Sequence, residues 1–95
     1  MEAETVFSFS TTNCVIYAEQ VLLKSGFDVR VMPLPPAIRA GCGLCLRLNA
    51  GKTGAAENLF KQNSITEYSI YIKTVIDGKS RYTVFERESG EFNGE

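Results

Sequence analysis

The prolines of the chain all lie within four consecutive positions, in the segment Pro33–Pro36 (PLPP), between two strand-like runs. Proline has no backbone N–H, so the hydrogen-bond ladder of a strand cannot continue through this segment. Residues Val29–Met32 before the prolines and Leu44–Leu48 after them have the apolar patterns of strands. The chain is therefore predicted to leave the sheet between two strands, through a loop with a single helical turn over Pro36–Arg39.

The rest of the sequence divides into two halves, each with the pattern strand, helix, strand. Thr11 or Thr12 can cap the first helix, Thr53 the second, and Gly26 stands where the first helix should end. The pair Asp77-Gly78 predicts a two-residue type I′ hairpin. The predicted strands are Thr5–Ser10, Val29–Met32, Leu44–Leu48, Ser69–Ile76 and Tyr82–Glu86, and the predicted helices run from Thr11 or Thr12 to Gly26 and over Thr53–Gln62.

This order of elements predicts a fold of the α+β class. It matches the ferredoxin-like βαββαβ sandwich, an antiparallel sheet in the order 4-1-3-2 with both helices on one face, plus an extra C-terminal hairpin strand. We expect a single domain over residues 1–95, with its core at about 5–86 and a frayed tail at 88–95. In this plan the first and third strands are neighbours. Cys42 and the proline loop, which is the segment that joins the second and third strands, should therefore lie by the first helix.

Charge and hydropathy exclude several classes of partner. The net charge is −1, which gives no basic field for nucleic acid, and no apolar run approaches the 18 residues of a membrane span. The first residues carry glutamates rather than the cations of a signal peptide. We therefore expect a cytoplasmic protein.

The second and fifth strands should be the sheet edges, and such edges can pair two copies as a homodimer.

The 3 cysteines and the absence of histidine narrow the chemistry further. An odd number of cysteines in a cytoplasmic chain argues against a disulfide framework, and without histidine the commonest general base and metal ligand are missing. We predict no cofactor and no metal, although three thiolates would suit a metal if Cys14 joined Cys42 and Cys45. The motif Cys42-Gly-Leu-Cys45 enters a strand, where a spacing of three sends side chains to opposite faces, so a packing role is predicted for Cys45.

Cys42 is the candidate reactive thiol. Helix N-termini offer unpaired N–H groups and a partial positive charge, which favour a thiolate, and the glycines beside Cys42 leave the sulfur accessible. Arg39 and Arg47 can add positive charge if they point that way. On the alternative interpretation, Cys42 is a small buried hydrophobic residue and the glycines serve only a turn. The candidate binding residues are Thr11, Thr12, Asn13, Arg39, Gly41 and Gly43, and Cys14 and Cys45 are possible secondary thiols.

Four segments resemble the bacterial family "Putative Se/S carrier protein-like", once a domain of unknown function. They are FSTT before the first helix, LLKSGFDVRVMPLPP across the second strand, IRAGCGLCLR through the third strand, and the second helix with the strand after it. The pattern P-x-P-P-x-I-x-x-G-C-G-x-x-x-R is specific for so short a domain. The resemblance implies delivery of sulfur or selenium as a persulfide or selenopersulfide, with Cys42 as the carrier residue, and it ends near Asp77.

Two functions are therefore open. The first is a sulfur or selenium carrier, which needs a donor protein and an acceptor protein but no general base. The second is a non-catalytic small-ligand-binding or regulatory module, in which the first helix N-terminus forms an anion pocket that Cys42 only shapes. Both predict a carrier or binding protein rather than a turnover enzyme. The rates at which the three thiols are alkylated discriminate between them.

Overall fold

The computed structural model of the protein describes residues 3–39 and 41–85. The predicted tail at 88–95 and the end of the last predicted strand at Glu86 lie outside the described residues. The elements are β1 (Glu4–Phe9), α1 (Thr12–Lys24), β2 (Arg30–Pro33), β3 (Leu44–Asn49), a 3₁₀ turn (Ala50–Lys52), α2 (Thr53–Gln62), β4 (Tyr68–Ile76) and β5 (Lys79–Val84).

One antiparallel sheet holds the five strands in the order β2-β3-β1-β4-β5. The α+β class, the predicted order of the first four strands, the β1–β3 pairing and the two edges are confirmed. The element order β-α-β-β-α-β-β exceeds the ferredoxin-like plan by the hairpin strand. That strand starts at Lys79 rather than Tyr82, because the Asp77-Gly78 turn, with both residues at positive φ, pairs Ile76 directly with Lys79. Edge pairing in a homodimer stays a prediction.

Both helices pack on one face of the sheet, as predicted. The buried side chains of that face, among them Phe7, Phe9 and Leu46, form one cluster with the apolar stripes of α1 and α2. The stripe of α1 is Val15, Ala18 and Leu22, and that of α2 includes Ala56 and Phe60. The rings of Phe7, Phe9, Phe60 and Tyr68 lie within 5.1 to 6.4 Å of one another, so they form an aromatic cluster within this core.

The proline loop covers the other face of the sheet, which corrects the expectation that it lies over the first helix. Ile38 packs there with Val6 and Cys45, and all three are buried. In place of the predicted helical turn over Pro36–Arg39, the loop forms one turn closed by the Ile38 N–H and the Pro35 carbonyl at 2.9 Å. The loop leaves the helix face because Ile38 needs an apolar surface, and Val6 and Cys45 supply it.

The end of α2 contains a backbone conformation that predicts a stability change. Ser64 follows the helix with φ 61°, and the Ile65 N–H donates to the Phe60 carbonyl at 2.8 Å, which closes a Schellman motif. A left-handed conformation strains any residue that has a Cβ, and glycine relieves this strain. We therefore expect Ser64→Gly to raise the free energy of unfolding by up to about 1 kcal/mol, measured by urea denaturation. A loss of stability would show that the serine side chain contributes more than the strain costs.

Candidate functional site

Cys42 lies at one end of the sheet, held by backbone hydrogen bonds. Its N–H donates to the carbonyl of Phe9, the last residue of β1, at 3.0 Å, and the carbonyl of Gly43 accepts from the Leu34 N–H at 2.9 Å. At this end β1 and β2 finish and β3 and β4 begin. We call it the thiol end. Because α1 starts only three residues after Phe9, the thiol end also holds the N-terminus of α1.

The glycines beside Cys42 have different surroundings. Gly41 has φ +119°, and a Cβ there would stand 3.1 Å from the Phe9 carbonyl oxygen, so the loop passes very close to β1. Gly43 has φ +97° and no atom within 4 Å of such a Cβ, so its side is open. Both positions favour glycine for their backbone conformation. The chain can therefore bring Cys42 against β1 and still leave one flank of the residue accessible.

The N-terminus of α1 is capped and exposed. Thr11 is the N-cap, and its side-chain oxygen accepts the Cys14 N–H at 3.1 Å. Thr12 and Asn13 form the first turn, and both are exposed, like Thr11. In an α-helix the N–H groups at these two positions have no intrahelical acceptor, so they are available to an anion at the thiol end.

The three cysteines occupy different positions around the thiol end, and all are free thiols. Cys14 and Cys42 are half-buried against the core under the helices, whereas Cys45 is buried in the cluster on the opposite face. The predicted opposite directions of Cys42 and Cys45 are therefore confirmed. The Cys42 S–H points to the Leu44 carbonyl at 3.8 Å and the Cys45 S–H to the Pro33 carbonyl at 3.8 Å.

Burial and charge raise the pKa values of two of these thiols. Burial raises the pKa of Cys45 to about 11, with the positive charge of Arg47 lowering it and negative charge on Cys42 raising it. The pKa of Cys14 is also raised, first by burial and then by negative charge on Glu67 and on Cys42. Both groups therefore favour the protonated, less nucleophilic form near neutral pH.

The two arginines considered for charge near Cys42 have different surroundings. Arg39 is exposed in the proline loop. Arg47 lies on the sheet face away from the helices, where its guanidinium contacts the Glu4 carboxylate at 3.5 Å, and Lys73 contacts the same carboxylate at 3.7 Å. Arg47 is thus engaged in a partly exposed ion pair near the far end of the sheet.

Glu67 is a site residue that sequence reasoning missed. It directly precedes β4, whose first residue, Tyr68, pairs with Phe9 at the thiol end. The predicted 4-1-3-2 order already places the start of the fourth strand beside the end of the first. That order was therefore the signal that could have placed an acidic residue near the N-terminus of α1.

The described residues contain no group of three His, Cys, Asp or Glu side chains that could hold a metal ion, so the three thiols do not converge on a metal site.

A cavity of about 470 Å³ lies at the end of the sheet opposite the thiol end, and the residues that line it include Arg30, Arg47 and Lys52. Among the residues described, no helix is long and apolar enough to cross a membrane.

The thiol end belongs to the part of the chain that a known family shares. The model of the family "Putative Se/S carrier protein-like" matches residues 4–72, from the start of β1 into β4. The chain belongs to this family. The matched range contains the proline loop, all three cysteines and both helices, and it ends before the β4–β5 hairpin turn. No curated protein and no solved structure gives a significant match to the chain.

Proposed function

We propose that the chain carries a sulfur or selenium atom on Cys42, as a persulfide or selenopersulfide. The observation that carries this proposal is the position of Cys42, half-buried beside the open flank of Gly43 and next to the first turn of α1. Membership of a family described as carrier-like supports it. Among the three thiols, Cys45 is buried and the pKa of Cys14 is raised, so Cys42 is the best candidate for an accessible nucleophile.

The transfer that loads Cys42 needs no general base. The Cys42 thiolate attacks the terminal sulfur of a donor persulfide, a new S–S bond forms on Cys42, and the donor cysteine leaves as a thiolate with the electron pair of the broken bond. The number of S–S bonds is unchanged, so no outside oxidant or reductant enters. The uncapped first-turn N–H groups of α1, at Thr12 and Asn13, are the donors proposed for the terminal anion. Donor and acceptor proteins are the partners, and exposed Arg39 offers a charge for docking them.

Loading by a cysteine desulfurase tests the proposal. We expect incubation with the desulfurase and cysteine to add the mass of one sulfur atom to the protein, measured by intact mass spectrometry. The Cys42→Ser variant should lose the adduct because it lacks the attacking thiolate. The Cys14→Ser and Cys45→Ala variants keep Cys42 and should retain the adduct.

Two results would contradict the carrier function on Cys42. An adduct that survives Cys42→Ser would assign the chemistry to another thiol. Absence of an adduct from every variant, with folded protein confirmed by circular dichroism, would favour the small-ligand-binding module instead.

A further inference from the structure

Cys14 and Cys42 lie on the same side of the sheet, at the same end. Cys14 starts the inward stripe of α1 that Ala18 and Leu22 continue at a spacing of four residues. Cys42 lies two residues before Leu44, and both pack against the cluster under the helices. The hydrogen bond from the Cys42 N–H to the Phe9 carbonyl holds the loop beside the chain segment that leads into α1.

We propose that Cys14 is the resolving thiol of this site: it closes a disulfide with Cys42, and when Cys42 carries a persulfide this closure expels the terminal sulfur as HS⁻. Only the second part rests on the proposed carrier function. Cys45 does not suit this role, because it is buried on the opposite face beneath Ile38 and its S–H points to the Pro33 carbonyl.

The discharge step is balanced without an outside oxidant. The Cys14 thiolate attacks Sγ of the Cys42 persulfide, the Cys14–Cys42 bond forms, and the bond to the terminal sulfur breaks. The terminal sulfur, protonated in the reacting persulfide, leaves with the electron pair as HS⁻ and is reduced. The Cys14 sulfur is oxidised, while Cys42 Sγ exchanges one S–S bond for another. A dithiol reductant then restores both thiols and is itself oxidised.

The surroundings of Cys14 and Cys42 determine the rate at which the disulfide closes. A disulfide needs the Cβ atoms about 3.8 Å apart, and the open flank and positive φ of Gly43 leave the loop room to adjust. Burial raises the pKa of Cys14, and the negative charges of the groups that act on it, Glu67 and Cys42, raise it further. Closure should therefore be slow at neutral pH and faster at alkaline pH, and Glu67→Gln should accelerate it.

Oxidation of the unloaded protein tests the thiol pair independently of any carrier function. We expect diamide, which takes two hydrogens from a pair of thiols, to convert the full chain to a monomer with one Cys14–Cys42 disulfide, identified by non-reducing peptide mass spectrometry. Cys45→Ala should give the same linked peptides, whereas Cys14→Ser should give no intramolecular disulfide. A Cys42–Cys45 linkage, or no linkage in folded wild-type protein, would overturn the proposal.

Discharge is then measured on protein loaded with sulfur. Wild-type protein should release sulfide as the Cys14–Cys42 disulfide appears, and Cys14→Ser should keep its adduct and release none without added thiol. Equal release from both proteins would overturn the discharge step even if diamide forms the disulfide. If loading itself fails while diamide links the pair, the carrier function is wrong and the resolving pair stands.

Discussion

Phe60→Ala should be among the most destabilising single substitutions in the described part of the chain. Phe60 is fully buried at the centre of the aromatic cluster, with its ring 5.1 Å from that of Phe7 and 5.2 Å from that of Tyr68. Replacement of a buried phenylalanine by alanine costs about 3–5 kcal/mol, because it removes apolar contacts and leaves a cavity. For a domain of this size we expect the melting temperature to fall by on the order of 15 °C, measured by calorimetry.

Tyr17→Ala is the matched control for this prediction. Tyr17 is also an aromatic residue on a helix, but it is 49% exposed on the outer side of α1. Its truncation should change the free energy of unfolding by only about 0.5 kcal/mol. Equal effects of the two substitutions would show that the aromatic cluster does not hold the helices on the sheet.

The sequence predicts those parts of the fold that local chemistry decides. Helix α2 is predicted over Thr53–Gln62 and found at the same bounds. Gly26, with φ 87°, ends α1 as predicted, because the Phe27 N–H returns to the Leu22 carbonyl and the turn requires a positive φ. These signals involve neighbouring residues only, so no knowledge of tertiary contacts is needed.

Tertiary contacts decide the features that the sequence predicts wrongly. Thr53 is predicted to cap α2, but it is the first helical residue, and its buried hydroxyl donates to the Ala50 carbonyl and accepts from Thr5 of β1 at 2.6 Å. The proline loop lies over the sheet face away from the helices because Ile38 finds Val6 and Cys45 there. The pattern of residue types does not show which residues far apart along the chain will be in contact.

The candidate site depends both on local sequence signals and on tertiary contacts. The predicted strand order brings Cys42 to the N-terminus of α1, and the predicted alternation sends Cys45 to the other face. The position of Cys14 on the same side as Cys42, and the charge of Glu67 near it, depend on how α1 packs over the sheet. Residue types and spacing therefore predict the position of the candidate thiol, Cys42, whereas its surroundings require the structure.

Alkylation should separate the three thiols by a wide margin, with Cys45 the slowest. Burial raises the pKa of Cys45 from 9.0 to about 11, so at pH 7 its thiolate fraction is about a hundredfold below that of an unperturbed thiol. The Cys45 side chain is also fully buried, so iodoacetamide can reach it only after the protein opens locally. Cys42 should react first, Cys14 more slowly and Cys45 slowest, as read from peptide mass spectrometry of timed samples between pH 7 and pH 10.

The raised pKa of Cys45 also makes the free energy of unfolding decrease at alkaline pH. Because the pKa of Cys45 is higher in the folded protein than in the unfolded chain, the folded state favours the protonated thiol, and this contribution is fully present below pH 9. It should decline as the pH rises from 9 to 11, since the unfolded chain then loses its proton more readily. Urea denaturation across this range should show a steeper loss for wild-type protein than for Cys45→Ala, which has no thiol to titrate there. Parallel loss in the two proteins, or alkylation of Cys45 as fast as that of Cys42, would mean that the cluster around Ile38 does not shield this thiol.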